Sequence, residues 1–491
     1  AALSADGPEL FPVPSITAAL SLVPTTRSIS AGPLYGSSSS QFSDMTLRGA
    51  CRLRGVSLQK LLKYPGCMLQ SSVTNSYRHS REVEVLDAFL SHSWQAPAFA
   101  KHLMLCLEYR WKPSVLVGLA AAVLGTLACP LQLATEVQYY IALAVGCGLV
   151  ALLFTMLVWP CREMMFLDKA CIDQVDAEAK SDGIQSIGYF LSRSRRVIVL
   201  WDASYFTRLW CIVEFAASLK LSRTNTNMPE ISMRPLGHAT QTLLSLLVNT
   251  SLVVLKTLAD MAEPSDSPMS AKQFAGIFFG LMLIAVATDG SIRAQVKSFR
   301  DLEGQLRTFR IKDAQSSCCS NGHVDPLSKE AIPCDRDVLI SSVDIWFGSA
   351  GSFEDYVQAT LRQHVSMKVM MPYRYMLFSA TPFVLSGLGG FIWLARSGQS
   401  LDGLVLLTSM IYQTTVGLPL VWLIIFKVHE VLLWNPGTRS MRMAARLLRG
   451  ALIGTGASLV AMCSNVVEFY TEEAWGSEAW GTLLLFLTLG G

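Results

Sequence analysis

The chain has 491 residues, of which 51% are hydrophobic and only 16% charged. Soluble domains carry about 25% charged residues, so this composition argues against a wholly water-soluble protein, and a net charge of +3 is too small to point to nucleic acid. The twelve cysteines are scattered without the spacing of a disulfide framework, as expected of thiols kept reduced or buried in lipid.

Residues 1–80 are rich in Ser, Pro and Gly, including Ser37 to Ser40, and are expected to be disordered. Both ends are expected to be cut, since the chain opens on Ala1-Ala2 and stops at Gly491 inside an apolar run. The stretch Met45–Lys63 is basic and acid-poor, and a plain linker is preferred to a transit-like segment. Val83–Leu90 (VEVLDAFL) predicts a short strand, closed by Ser91-His92-Ser93-Trp94 and followed by an amphipathic helix to about Arg110. The apolar runs Ser114–Cys129 and Val137–Trp159 predict a transmembrane hairpin over 113–160. MMFLD (Met164–Asp168) predicts a second strand, then a polar loop from Lys169 to Gly183 and a helix from Ile184 to Ser194. RVIVLW (Arg196–Trp201) has the composition of a buried parallel strand, and a helix is expected from about Thr207 to Leu221. The soluble α/β domain is therefore expected in two parts, 81–112 and 161–236.

A second hairpin is expected over 237–290, from the runs Thr240–Leu258 and Gln273–Thr288. The first of these is the most polar run in the chain, and an interfacial helix is its alternative. Residues 291–371 read as a cytoplasmic helical unit. Within it Cys318, Cys319, His323 and Cys334 have the composition of a tetrahedral zinc site. Adjacent cysteines are awkward for shared ligation and no C-x2-C pair is present, so free thiols and no metal are expected. A third hairpin over 372–427 comprises Tyr375–Ala395 and Leu401–Phe426. A basic connector covers 428–446, and a truncated hairpin covers 447–491. Short loops within the pairs are nearly free of Lys and Arg, Arg396 being the exception. The segment Pro160–Gly237 holds ten such residues and Lys427–Arg449 five. By the positive-inside rule the long segments are cytoplasmic, in a membrane left unspecified.

Three motifs in order resemble the TIR (Toll/interleukin-1 receptor) family: DAFLSHSW, FLDK…DGIQSIGYFLSRSRRVIVLW and YFTRLWCIVEF. The hairpin-interrupted form with Asp168-Lys169-Ala170-Cys171-Ile172-Asp173-Gln174 is similar to multi-span TIR-like proteins of protists. The resemblance implies an α/β fold: a flavodoxin-like, TIR-type parallel sheet interrupted by a transmembrane hairpin and joined to a bundle of about eight spans. An even number of crossings lets both parts of the domain lie on one side. The resemblance also implies a signalling protein that cleaves NAD as substrate, with no permanently bound cofactor and with Glu214 as the catalytic carboxylate. His92, Ser93, Trp94, Asp168, Lys169 and Trp210 are the implied nucleotide-binding residues. Read without the resemblance, Glu214 is a solvated helix residue or a partner of Arg208, and Trp210 packs. The expected partners are the lipid bilayer and other copies of the TIR-like domain, with no nucleic acid. A non-enzymatic adaptor that self-associates is the alternative. A channel or transporter is least favoured, because the best-formed runs are almost free of ionisable residues.

Overall fold

A computed structural model describes residues 51–456 apart from 64–65, 71–75, 131–135, 225–228, 263–270, 325–330, 332–333, 363–371, 399–405, 407–409, 433–437 and 439. Six strands form one sheet: β1 (Arg54–Ser57), β2 (Arg81–Glu82), β3 (Ala88–His92), β4 (Met164–Phe166), β5 (Arg196–Trp201) and β6 (Glu230–Pro235). Their order is β2-β1-β4-β3-β5-β6. Strands β4, β3, β5 and β6 run parallel, with Phe89 level with Phe166 on one side and Val197 on the other. β1 joins β4 antiparallel, Val56 opposite Met165. β5 is buried from Val197 to Trp201, as a parallel strand covered on both faces must be.

The helices used below are α1 (Ala98–Ala128), α2 (Val137–Val158), α3 (Ala177–Gln185), α4 (Ile187–Ser192), α5 (Leu209–Thr224), α6 (Leu236–Ala262), α7 (Ala271–Arg307), α8 (Asp335–Phe347), α9 (Ala350–Tyr356), α10 (Tyr373–Arg396) and α11 (Leu418–Val431). A further helix covers 440–456.

Several expectations are corrected. The described part of the region expected to be disordered, 51–80, contributes β1, whose Val56 is fully buried beside Leu58. The polar loop after β4 holds a helical turn at Asp168–Cys171 and then α3, whose start is capped by Asp176 accepting from the Glu178 and Ala179 amides at 2.9 and 3.1 Å. The helix expected from Ile184 is split at Ser186 into the end of α3 and the short α4. The helix after β3 does not stop at Arg110. It continues through Pro113 into the bundle as one element.

Five helices among the described residues are long and apolar enough to cross a bilayer: Ala98–Ala128, Val137–Val158, Leu236–Leu258, Tyr373–Arg396 and Met410–Val431. This marks a multi-pass membrane protein. Leu116, Leu124, Val150, Phe154 and Leu157 are each more than 60% exposed, a cost in water that lipid removes. α6 carries the most polar run, and its polar residues turn inward. Gln241, Thr242, Asn249 and Thr257 are buried, while Leu247, Leu255 and Leu258 face outward. Asn249 Nδ2 donates to Ser379 O of α10 at 2.7 Å. The expected run Gln273–Thr288 lies in the first part of α7, which continues unbroken to Arg307. Residues 1–50, 401–405, 407–409 and 457–491 lie outside the described residues, so most of the expected N-terminal region, part of the run Leu401–Phe426 and most of the truncated hairpin 447–491 fall there.

Polar clasps join the layers. Arg110 Nη1 donates to Met156 O and Leu157 O at 3.1 and 2.7 Å, capping the end of α2 and closing the hairpin back onto its point of departure. Buried Glu108 accepts from Arg234 Nε (2.6 Å), Arg374 Nη2 (2.8 Å) and Tyr375 Oη (3.0 Å), tying α1 to the β6–α6 junction and the start of α10. At the meeting of α7, α11 and helix 440–456, Asp289 accepts from Arg449 at 2.5 and 3.1 Å and lies 3.3 Å from His429 Nε2. The helical unit after α7 docks on the sheet domain. Lys180 pairs with Asp335 at 2.6 Å, and Lys220 Nζ donates to Trp346 O.

Candidate functional site

Ligands of open parallel sheets bind outside the carboxyl ends of the strands, where the strand order reverses. Here that place lies between β3 and β5, where Ser91 and Glu214 meet. Ser91, on the last turn-free stretch of β3, donates from Oγ to Glu214 Oε2 at 2.5 Å and lies 2.6 Å from Tyr205 Oη. Trp210 stands one helical turn before Glu214 on α5, and its Nε1 donates to Oε1 at 2.6 Å. Both carboxylate oxygens are therefore held, and the residue is only 3% exposed. Glu214 is neither solvated nor engaged with Arg208 through these oxygens. Burial pushes its pKa up to about 8. The nearby Asp168 charge adds to the rise, and the hydrogen bonds from Ser91 and Trp210 oppose it.

The remaining residues singled out from sequence surround Trp94. Its Nε1 donates to Asp168 Oδ2 at 2.8 Å, while Asp168 Oδ1 accepts the Lys169 amide at 2.7 Å. The Lys169 ammonium lies 4.0 Å from the centre of the Trp94 ring, and His92 meets the same ring edge-on at 4.5 Å. Lys101 Nζ donates to Ser93 O at 3.2 Å. Ser204 Oγ lies 2.8 Å from Ser93 Oγ and 2.7 Å from Asp202 Oδ1. The loops after β3, β4 and β5 are thus bound to one another around one indole. Burial drives the His92 pKa well below its ordinary value, and Lys101 and Lys169 add to that, so the ring is neutral. Its Nε2 is buried and has no hydrogen-bond partner among the described residues. Burial raises the Asp168 pKa, against the Trp94 hydrogen bond.

The expected residues fall into two adjoining groups, Trp210 with Glu214, and His92, Ser93, Asp168 and Lys169 around Trp94. Trp210 acts through its N–H on Glu214 and not only by packing. Cys211 is buried, donates to His92 O at 3.4 Å and has its thiol pKa pushed well up, so it is no thiolate nucleophile. Sequence reasoning missed Ser91 as a partner of Glu214, Tyr205 as a partner of Ser91, and Lys101 as a partner of the Ser93 loop. A serine inside an otherwise apolar buried strand was the available signal for Ser91. No protein-family model, curated protein or solved structure matches the chain.

Proposed function

We propose that the protein is a membrane-anchored, TIR-like signalling protein whose sheet domain cleaves NAD to nicotinamide and an ADP-ribose product, with Glu214 as the catalytic carboxylate. The observation that carries this reading is the placement of a buried, hydrogen-bonded carboxylate at the β3–β5 reversal point. Taken in chain order, the four parallel strands are arranged 2-1-3-4, the flavodoxin-like pattern, and a helical hairpin is inserted between the first and second. Nicotinamide is a cationic leaving group and needs no general acid. An ionised Glu214 beside the ribose would stabilise the positive charge that develops at the anomeric carbon. The positively charged nicotinamide ring of the substrate favours that ionisation, since a nearby positive charge lowers a carboxyl pKa. Access requires Trp210 or the Trp94 loop to swing aside, because Glu214 is closed from solvent.

The closed carboxylate also favours a second reading, a non-enzymatic adaptor in which Glu214 and Trp210 rigidify α5 for self-association. Detergent-solubilised full chain mixed with NAD separates the two. The enzyme releases nicotinamide, and Glu214→Ala reduces release by at least about 100-fold, the scale expected for loss of a group acting on transition-state charge. Release that is absent, or equal in the variant, leaves the adaptor reading. The soluble parts are assigned to the cytoplasmic side by their Lys and Arg content.

A further inference from the structure

We propose that Cys318, Cys319, His323 and Cys334 bind one structural zinc ion as a Cys3His tetrahedral set. Their ligand atoms all lie within 4.8 Å of one another. Cys319 Sγ is 3.9 Å from Cys318 Sγ and 3.8 Å from Cys334 Sγ. A tetrahedron with Zn–S bonds of about 2.3 Å has sulfur–sulfur edges of about 3.8 Å, so two edges already have the length the ion requires. The spacing C-C-x3-H-x10-C lacks the usual C-x2-C pair, and the backbone supplies the convergence in its place. A helical turn at Ser317–Ser320 carries the two adjacent thiols. Gly322 and His323 then both take positive φ, 64° and 56°, and the His323 amide returns to Cys318 O at 2.8 Å. His323 is the one non-glycine with positive φ among the described residues, a backbone strain of the kind retained where a side chain must be aimed. Cys334 arrives from the other direction, at the N-cap of α8.

Four protein ligands close the coordination sphere, which makes the ion structural and not catalytic. Soft thiolates with an imidazole favour zinc over magnesium, calcium or manganese. Binding displaces the thiol protons to solvent, leaving three thiolates and a neutral imidazole on the metal. The ion staples a docking segment. Gln315 N donates to Thr207 O at 2.8 Å and Leu209 N to Gln315 O at 3.0 Å, immediately before Trp210. Arg336 donates to Ala314 O and Ile311 O at 2.8 and 2.6 Å, and Asp335 pairs with Lys180 of α3. Zinc therefore fixes the clamp that spans α3 and the start of α5.

The test is elemental analysis of full-length protein purified in detergent under reducing conditions, with no metal added. About one zinc per chain is expected, and exchange for Co2+ should give the visible d–d bands of tetrahedral thiolate coordination. Cys319→Ser and Cys334→Ser should each lower zinc to background, while Cys67→Ser, an exposed thiol elsewhere, should leave it unchanged. His323→Cys keeps a four-ligand set and should retain the ion, which separates lost ligation from lost folding. Background zinc in the wild type, zinc unaffected in the Cys319 and Cys334 variants, or a Cys319–Cys334 disulfide in its place would each overturn the proposal.

Discussion

At the residue scale, Glu214 leaves water to meet Ser91 and Trp210, and the loss of hydration outweighs both hydrogen bonds. Its pKa stands at about 8 in the folded protein against an ordinary value of 4.5. Between those values the folded state holds a proton that the unfolded state has released. Stability from this group is full below about pH 4.5 and is lost as pH rises toward 8. Glu214→Gln keeps the shape and removes the titration, so its melting temperature should gain on the wild type from pH 5 to pH 8. The difference amounts to a few kcal/mol at most, on the order of 1.4 kcal/mol per pKa unit before relaxation is counted. Parallel melting curves across that range would show that the carboxyl is not held neutral. The same ionisation predicts NAD cleavage that rises with pH through the neutral range, measured as nicotinamide release.

At the element scale, close helix contact in the bundle depends on glycine. A Cβ on Gly389 of α10 would meet Tyr140 O at 2.7 Å and Ile141 Cα at 2.9 Å, backbone atoms of α2 that cannot yield as a side-chain tip can. Gly389→Leu should therefore push α10 off α2 and cost about 1–3 kcal/mol or more, read as a lower melting temperature in detergent. Gly146→Ala, whose added carbon meets nothing within 4 Å, is the control and should change little. Equal melting temperatures for the two variants would mean that this contact is absent. Elements were unequally legible. β5 and the first hairpin declare themselves because their apolar runs are long and continuous. β1 and β6 do not. RGVS is four residues long, and EISMRP shows only a weak alternation at Ile231 and Met233. What makes them strands is the sheet edge offered by β4 and β5.

At the scale of the whole molecule, 161–236 and 311–347 contact each other, and the proposed topology therefore has α6 depart from their side and α7 return to it. A glycosylation acceptor at Pro264–Ser267 should be modified in a secretory-pathway membrane, while one placed near Val175 should not. The reverse pattern would invert the topology. Arg396, the cation out of place in the charge asymmetry, has a local use. Its Nη1 donates to Thr126 O at 3.2 Å and Cys129 O at 2.9 Å, at the carboxyl end of α1, where carbonyl oxygens carry partial negative charge. Asp289 and its arginines are likewise paired with one another, as buried charge in a bundle must be.

Membrane character was determined by sequence alone, because hydropathy is a local property that adds along a helix and needs no partner. The central strands and the position of Glu214 on its helix were also legible, the latter through a motif confined to a few neighbouring residues. Tertiary structure decided the rest. Ser91 and Glu214 are 123 positions apart, and only the parallel pairing of β3 with β5 brings their oxygens together. Cys334 reaches Cys319 across 15 positions, just beyond an antiparallel bridge between Val324 and Ala331. Contacts of that kind depend on the register of strands and the direction of turns, which no spacing in this chain encodes by itself.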